Sequence, residues 1–195
     1  MPRRPREEAP GAIHHVVAKG NAGGFVAYDD YDRTNLFHRF EWVVERCRWS
    51  CLAYCLLDTH LHLVLNTPEP NLGLGMQRFQ APYAQSFNRR HTRDGHLFRG
   101  RYYSARLRTD RHLYSAIIYV LMNPVRAGVV QRPELWRWSS YAATIGHEPA
   151  PAYLDVAAAL ELIDPDPIAA RRRLEEATRE ARERDLLSPS NRAEA

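Results

Sequence analysis

Residues 50–67 read S-C-L-A-Y-C-L-L-D-T-H-L-H-L-V-L-N-T, and the fold is decided by how this stretch is read. Ser50 to Leu57 and Leu61 to Thr67 are apolar runs joined by a tight connection at Asp58 and Thr59, the pattern of a β-hairpin. Both runs are apolar enough to lie centrally in a sheet. Pro68 and Pro70 end the second run, since proline has no N–H to give a ladder. His60 and His62 are two residues apart on that strand, so both imidazoles leave one face while Leu61 turns to the core. Such a pair is a two-histidine platform for a metal ion; on its own, a His-x-His in a polar-faced strand is more often chance than a metal site.

On the N-terminal side, Ile13 to Lys19 is β-branched and apolar, and Gly20-Asn21 and Gly23-Gly24 behind it are turn formers, which predicts a first strand. Residues 31–47 set Leu36, Phe37, Phe40, Val43, Val44 and Cys47 at helical spacing behind Asp29, Asp30 and Asp32, an acidic start that suits a helix N-terminus.

On the C-terminal side, Leu72, Met76, Phe79, Tyr83 and Phe87 mark a helix to about His91, which Pro82 is expected to kink or divide. Asp94-Gly95 is a turn, and Tyr102 to Arg108 alternates as a fourth strand. Thr109 or Asp110 caps a further helix to Met122, stopped by Asn123-Pro124. The order β-α-β-β-α-β-α predicts an α+β, ferredoxin-like antiparallel four-stranded sheet, with helices on one face and one added C-terminal helix. On that last helix Tyr119 and Asn123 are four apart and project side by side.

The chain has 195 residues, 45% hydrophobic and 26% charged, a composition that excludes collagenous and wholly disordered classes. Its apolar runs, such as Ile117 to Met122, are far short of the ~20 residues of a membrane span. The N-terminus M-P-R-R-P-R-E-E lacks the apolar stretch of a secretory signal, so a cytoplasmic protein is expected. Residues 1–11 form a flexible basic arm, 12–147 the main domain, and 148–195 an acidic, arginine-rich helical tail, partly disordered and dispensable for activity.

The net charge of +4 divides into +8 for residues 1–147 and −4 for 148–195. Arg89, Arg90, Arg93, Arg99, Arg101, Arg106, Arg108 and Arg111 face only Asp94 and Asp110 within 88–111, a stripe for a polyanion. Tyr83, Phe87, Phe98, Tyr102 and Tyr103 lie among these arginines; phosphates can pair with the one set and unpaired bases stack on the other. Cys47, Cys51 and Cys55, spaced i, i+4, i+8, match no common zinc pattern and read as reduced, buried thiols.

Four blocks, H-H-V-V-A-K-G-N (14–21), Y-C-L-L-D-T-H-L-H-L-V-L (54–65), F-N-R-R-H with G-H-L-F-R-G-R-Y (87–102) and Y-V-L-M-N-P-V-R-A-G (119–128), occur in the order seen in REP-associated tyrosine transposases. The chain resembles this branch of the single-tyrosine HUH transposases over about residues 12–145. The resemblance implies that His60 and His62 bind a divalent metal, that Tyr119 is the nucleophile and that Asn123 is a third metal ligand. Members of the family usually carry Met-Pro-Asn before the first histidine, where this chain has Leu57, Asp58 and Thr59, so the preset turn of the proline is lost. Lys19 stands where arginine is commoner and keeps the charge.

A phenol is a poor nucleophile at neutral pH because it is almost wholly protonated, so the site must favour phenolate character or make the phosphate more electrophilic. The resemblance implies metal-dependent nicking and rejoining of single-stranded DNA at hairpin-forming repeats through a 5′-phosphotyrosine, by one copy or a homodimer. The ion expected is Mg2+ or Mn2+, two imidazoles and an amide being softer than the oxygen shell magnesium prefers. Lys19, Arg89, Arg90, Arg93, Arg99, Arg101, Arg106 and Arg108 are the expected DNA-binding cations. The alternative is a ferredoxin-like protein that binds single-stranded nucleic acid without chemistry.

Overall fold

The computed structural model describes residues 8–187. Residues 1–7 of the expected arm and 188–195 of the expected tail lie outside the described residues. The chain runs β1 (Ala12–Lys19), α1 (Asp30–Cys47), β2 (Ser50–Leu56), β3 (His60–Thr67), α2 (Leu72–Arg90), β4 (Tyr103–Leu107) and α3 (Asp110–Arg126). After these come α4 (Tyr141–Ile145), α5 (Val156–Glu161) and α6 (Pro167–Leu187). The strands form one antiparallel sheet in the order β2-β3-β1-β4, the ferredoxin-like arrangement expected from the hydrophobic pattern.

The hairpin places β3 in the interior, paired with β2 on one side and along its whole length with β1 on the other. Its alternation then sorts the side chains. Leu61, Leu63 and Leu65 join Val16 and Ala18 of β1 in a core with Leu36, Phe40, Met76, Phe79 and Tyr83 from α1 and α2. The opposite face, which carries His60, His62 and Val64, is not open. Val64, Leu52, Ala53 and Cys55 pack there with Leu113, Ile117 and Leu121 of α3 and with Ala159, Leu174 and Ala181 of α5 and α6. Helices α1 and α2 thus lie on one face as expected, while the added helix lies across the second face and the later helices extend its core. A register shift between Cys51 and Ala53 lets β2 serve both cores, with Cys51 in the first and Ala53 in the second.

The β2 edge is covered by later chain. Leu154 bridges Cys51, Ser139 bridges Cys55, and Leu56 N–H donates to the Trp138 carbonyl at 2.9 Å. Covering an edge removes a template for unwanted strand pairing. The three cysteines are free and buried, and burial pushes each thiol up, away from the reactive thiolate.

Two prolines behave differently from expectation. α2 runs through Pro82 without dividing, and α3 continues through Pro124 to Arg126 instead of stopping at Met122. An interior proline costs about 3 kcal/mol or more, and the deeply buried apolar stripes of both helices outweigh it. In α3 the hydrogen bonds resume at once, with Ala127 N–H donating to the Asn123 carbonyl at 2.9 Å. Asn123 is thereby held inside the helix, one turn beyond Tyr119. Among the described residues, no helix is long and apolar enough to cross a membrane.

Candidate active site and nucleic-acid surface

The imidazoles of His60 and His62 leave β3 towards α3, their ring centroids 4.9 Å apart. Both are almost fully buried, at 8% and 3% exposure. Burial, and for His62 also the neighbouring His60, His15 and Lys19, holds both pKa values below the ordinary histidine value. Both rings are thus neutral at pH 7, the form that can donate a lone pair.

Tyr119 reaches the same place from α3. Its ring lies 5.7 Å from His62, centroid to centroid, and at 40% exposure it remains open to solvent on its other side. Asn123 is buried; its amide N–H donates to the Tyr119 carbonyl at 2.9 Å, and its side chain hydrogen-bonds His60. One chain therefore brings together His60, His62, Tyr119 and Asn123.

The turn before His60 is fixed without the proline. The Asp58 carbonyl accepts from Val26 N–H, the Thr59 carbonyl accepts from Gly20 N–H at 2.8 Å, and the Asp58 carboxylate pairs with Arg33 at 2.5 Å. Thr59 Oγ1 lies 2.9 Å from His60 Nδ1 and orients that ring. The glycine of the K-G-N block has a steric reason here: a Cβ on Gly20 would fall 1.8 Å from the Gly24 carbonyl oxygen.

A residue outside the expected set completes the cluster. His15 Nε2 lies 3.1 Å from His62 Nδ1, the two rings lie edge to edge and nearly coplanar with centroids 5.4 Å apart, and His15 meets the Tyr119 ring edge-on at 5.8 Å. In the β1–β3 register His15 faces Val64 and Val17 faces His62, which makes His15 and His62 diagonal neighbours on one face. The signal was present in the alternation His15, Val17, Lys19, but the pairing partner of β1 had to be known to use it.

The expected cations divide. Lys19, Arg99 and Arg101 line a pocket of about 390 Å³ with His15, His62, Tyr103 and Tyr119. Arg99 is held there by its N–H, which donates to the Lys19 carbonyl at 2.8 Å. Arg90 is not in that pocket: it binds Asp29 at 2.6 Å and Asp32 at 2.5 Å beside α1, and Arg93 lies over the Phe87 ring. Arg89 is exposed on the same end of α2. Arg106 pairs in register with His14, on the sheet face opposite His15, and Arg108 follows the end of β4. The arginine stripe of the sequence is thus not one surface.

For a metal, the donors present are two imidazoles and an amide. Among the described residues no group of three or more histidine, cysteine, aspartate or glutamate side chains could hold an ion, so Asn123 is needed to complete the set. The set fits a divalent ion in its chemistry. The Nδ1 atoms of His60 and His62 have Thr59 and His15 as partners, so an ion held here would take their Nε2 atoms, with the Asn123 side chain, which hydrogen-bonds His60, beside them.

A ferredoxin-like sheet whose interior strand turns two neutral imidazoles towards a helix-borne phenol, beside three cations, defines a histidine–tyrosine protein of the kind that the sequence blocks resemble. No family model matches the chain. It is 24% identical over 108 residues to a Haemophilus influenzae Rd protein provisionally named a REP-associated tyrosine transposase, a match covering 50% of this chain and 61% of the relative. The chain thus spans less than two thirds of the curated relative that it matches. It superposes on the solved REP-associated tyrosine transposase bound to a REP hairpin with a TM-score of 0.66 at 16% identity, over 80% of this chain and 92% of that one. A solved, provisionally named transposase of Deinococcus radiodurans R1 gives 0.41 at 15% identity, over 62% and 96%. The fold is that of the hairpin-bound protein, and the resemblance to REP-associated tyrosine transposases is borne out by a sequence relative and a shared fold.

Proposed function

We propose that this chain is a REP-associated tyrosine transposase that nicks and rejoins single-stranded DNA next to hairpin-forming repeats through a 5′-phosphotyrosine. The observation that carries this reading is the Tyr119 ring 5.7 Å from His62, at the wall of one pocket with Lys19, Arg99 and Arg101.

In this reading the three cations hold the phosphates on either side of the cut, and Tyr119 Oη attacks phosphorus as its proton passes to solvent. The new bond joins Oη to phosphorus; the bond from phosphorus to O3′ breaks, and O3′ takes up a proton. The ester is conserved, so a later 3′-hydroxyl can reverse the step without a nucleotide cofactor. His60, His62 and Asn123 would hold a magnesium or manganese ion, which when bound draws charge from a non-bridging phosphate oxygen. Since all four residues come from one chain, the reaction needs no second copy.

Arg101 also lines a second groove of about 680 Å³ between α2 and residues 95–102, with Gln77, Gln80, Gln85 and Asn88 along one side. The Gln80 side-chain nitrogen is buried there with no hydrogen-bond partner among the described residues. A strand leaving the tyrosine pocket over Arg101 would lay its unpaired bases against these amides, which can pair with base edges.

The deciding experiment incubates the protein with manganese and a labelled hairpin oligonucleotide carrying single-stranded flanks. A denaturation-resistant protein–DNA complex is expected, and it should disappear with His62→Ala; a non-covalent complex alone, under every metal tried, refutes the reading. Replacing Arg99 and Arg101 by alanine should weaken binding and flatten the dependence of log K on log salt by about 0.7 per lost phosphate contact. Arg90→Gln should leave that slope unchanged and lower the melting temperature, because buried Asp32 loses its arginine.

A further inference from the structure

His15 is outside the expected ligand set, yet it is the side chain that occupies His62 Nδ1. A neutral imidazole carries one proton on its two nitrogens, so the partner of one nitrogen decides what the other can do. If His15 donates to His62 Nδ1, the His62 proton sits on Nε2 and that atom has no lone pair to give. If His15 accepts, His62 carries its proton on Nδ1, and Nε2 points a lone pair out of the protein scaffold.

The two histidines of β3 are unequal in this respect. His60 has Thr59 Oγ1 at its Nδ1, a hydroxyl that donates or accepts by rotating its own proton. At His62 Nδ1 the partner among the described residues is another imidazole, nearly coplanar with it at an interplanar angle of 19° and held on β1 by the strand register, so its tautomer is tied to that of His15.

We propose that His15 is a positioning residue which accepts the Nδ1–H of His62 and so fixes His62 in the tautomer that ligates a divalent cation through Nε2. This rests on the reading of His60, His62 and Asn123 as ligands. A metal-bound histidine whose outer N–H partner is removed typically loses about 10–100-fold in metal affinity.

Two variants divide the ring from the hydrogen bond. His15→Phe keeps an aromatic ring against His62 and Tyr119 and has no acceptor; His15→Gln gives up the ring and offers an amide oxygen at the distance of Nε2. Binding of manganese to the DNA-free protein is followed by calorimetry and by the electron paramagnetic resonance of the free ion, with circular dichroism to establish folding. His15→Phe should weaken manganese binding about 10–100-fold, and His15→Gln should stay within about threefold of the parent. In the zinc-loaded parent, long-range 15N–1H spectra should report His62 protonated at Nδ1 and His15 at Nδ1 as well.

Equal affinity of His15→Phe and parent overturns the proposal while leaving the ligand assignment in place. So does a His15→Gln loss as large as that of His15→Phe, which would show that an acceptor at this position is not what His15 contributes. A parent that binds no manganese up to millimolar concentration overturns the ligand assignment and this inference together.

Discussion

Tyr119→Phe is expected to form no covalent DNA complex at all, since the variant has no oxygen to join to phosphorus, while hairpin affinity falls by less than about tenfold. The bound on affinity follows from the net worth of one hydroxyl hydrogen bond, about 0.5–1.5 kcal/mol. The substitution is conservative for the fold, because Tyr119 is 40% exposed and its ring contacts with His15 and His62 are available to phenylalanine. Gel electrophoresis after denaturation measures the adduct, and fluorescence anisotropy measures binding. A residual adduct in the variant would mean that another residue attacks. An adduct absent from both parent and variant, with equal binding, would instead favour the alternative of a nucleic-acid binder without chemistry.

The second large effect is on stability. Truncation after His147 is expected to lower the melting temperature by about 10–20 °C. Leu160 and Leu174 are 3% and 0% exposed, and Ala159, Ala170 and Ala181 are buried around them. Each buried leucine contributes about 1.5–3 kcal/mol, so with the apolar surface uncovered on α3 the loss is about 5 kcal/mol. That is a large share of a typical domain's ~5–15 kcal/mol, and at this size 1 kcal/mol moves the midpoint by roughly 2–4 °C.

The truncation also reaches the candidate site. Asp185 of α6 accepts from Arg126 Nε at 2.9 Å, and the Arg126 guanidinium lies 5.1 Å above the Tyr119 ring. Tyr114 Oη on α3 donates to the Arg173 carbonyl, a second tie between the two helices. Adduct formation by the truncated protein should therefore fall even at temperatures where it remains folded. Calorimetry of the two forms tests the first claim; a midpoint within about 3 °C of the parent would show α6 to be an appendage after all.

Much of this was legible in the chain itself, for a local reason. Strand alternation put His60 and His62 on one face and Leu61 on the other, and helical spacing put Tyr119 one turn from Asn123, because both periods are set by backbone geometry over a few residues. The hairpin, the element order and the ferredoxin-like sheet followed from runs of apolar residues and the turn formers between them. The arginine stripe failed for the converse reason. Neighbours in sequence such as Arg90, Arg99 and Arg106 lie respectively in an ion pair beside α1, in the phenol pocket and on the far face of the sheet, and nothing local distinguishes them.

What the sequence by itself determined, then, was each chemical group and the element that carries it: the paired imidazoles, the phenol and amide, and the cations. Only tertiary structure decided which of them meet. The β1–β3 register brought His15 beside His62, the second apolar core carried α3 across the imidazole face, and the packing of α6 held that helix in place. Such contacts depend on residues 47 or more positions apart, whose pairing is selected by burial of whole surfaces and leaves no periodic trace in either segment.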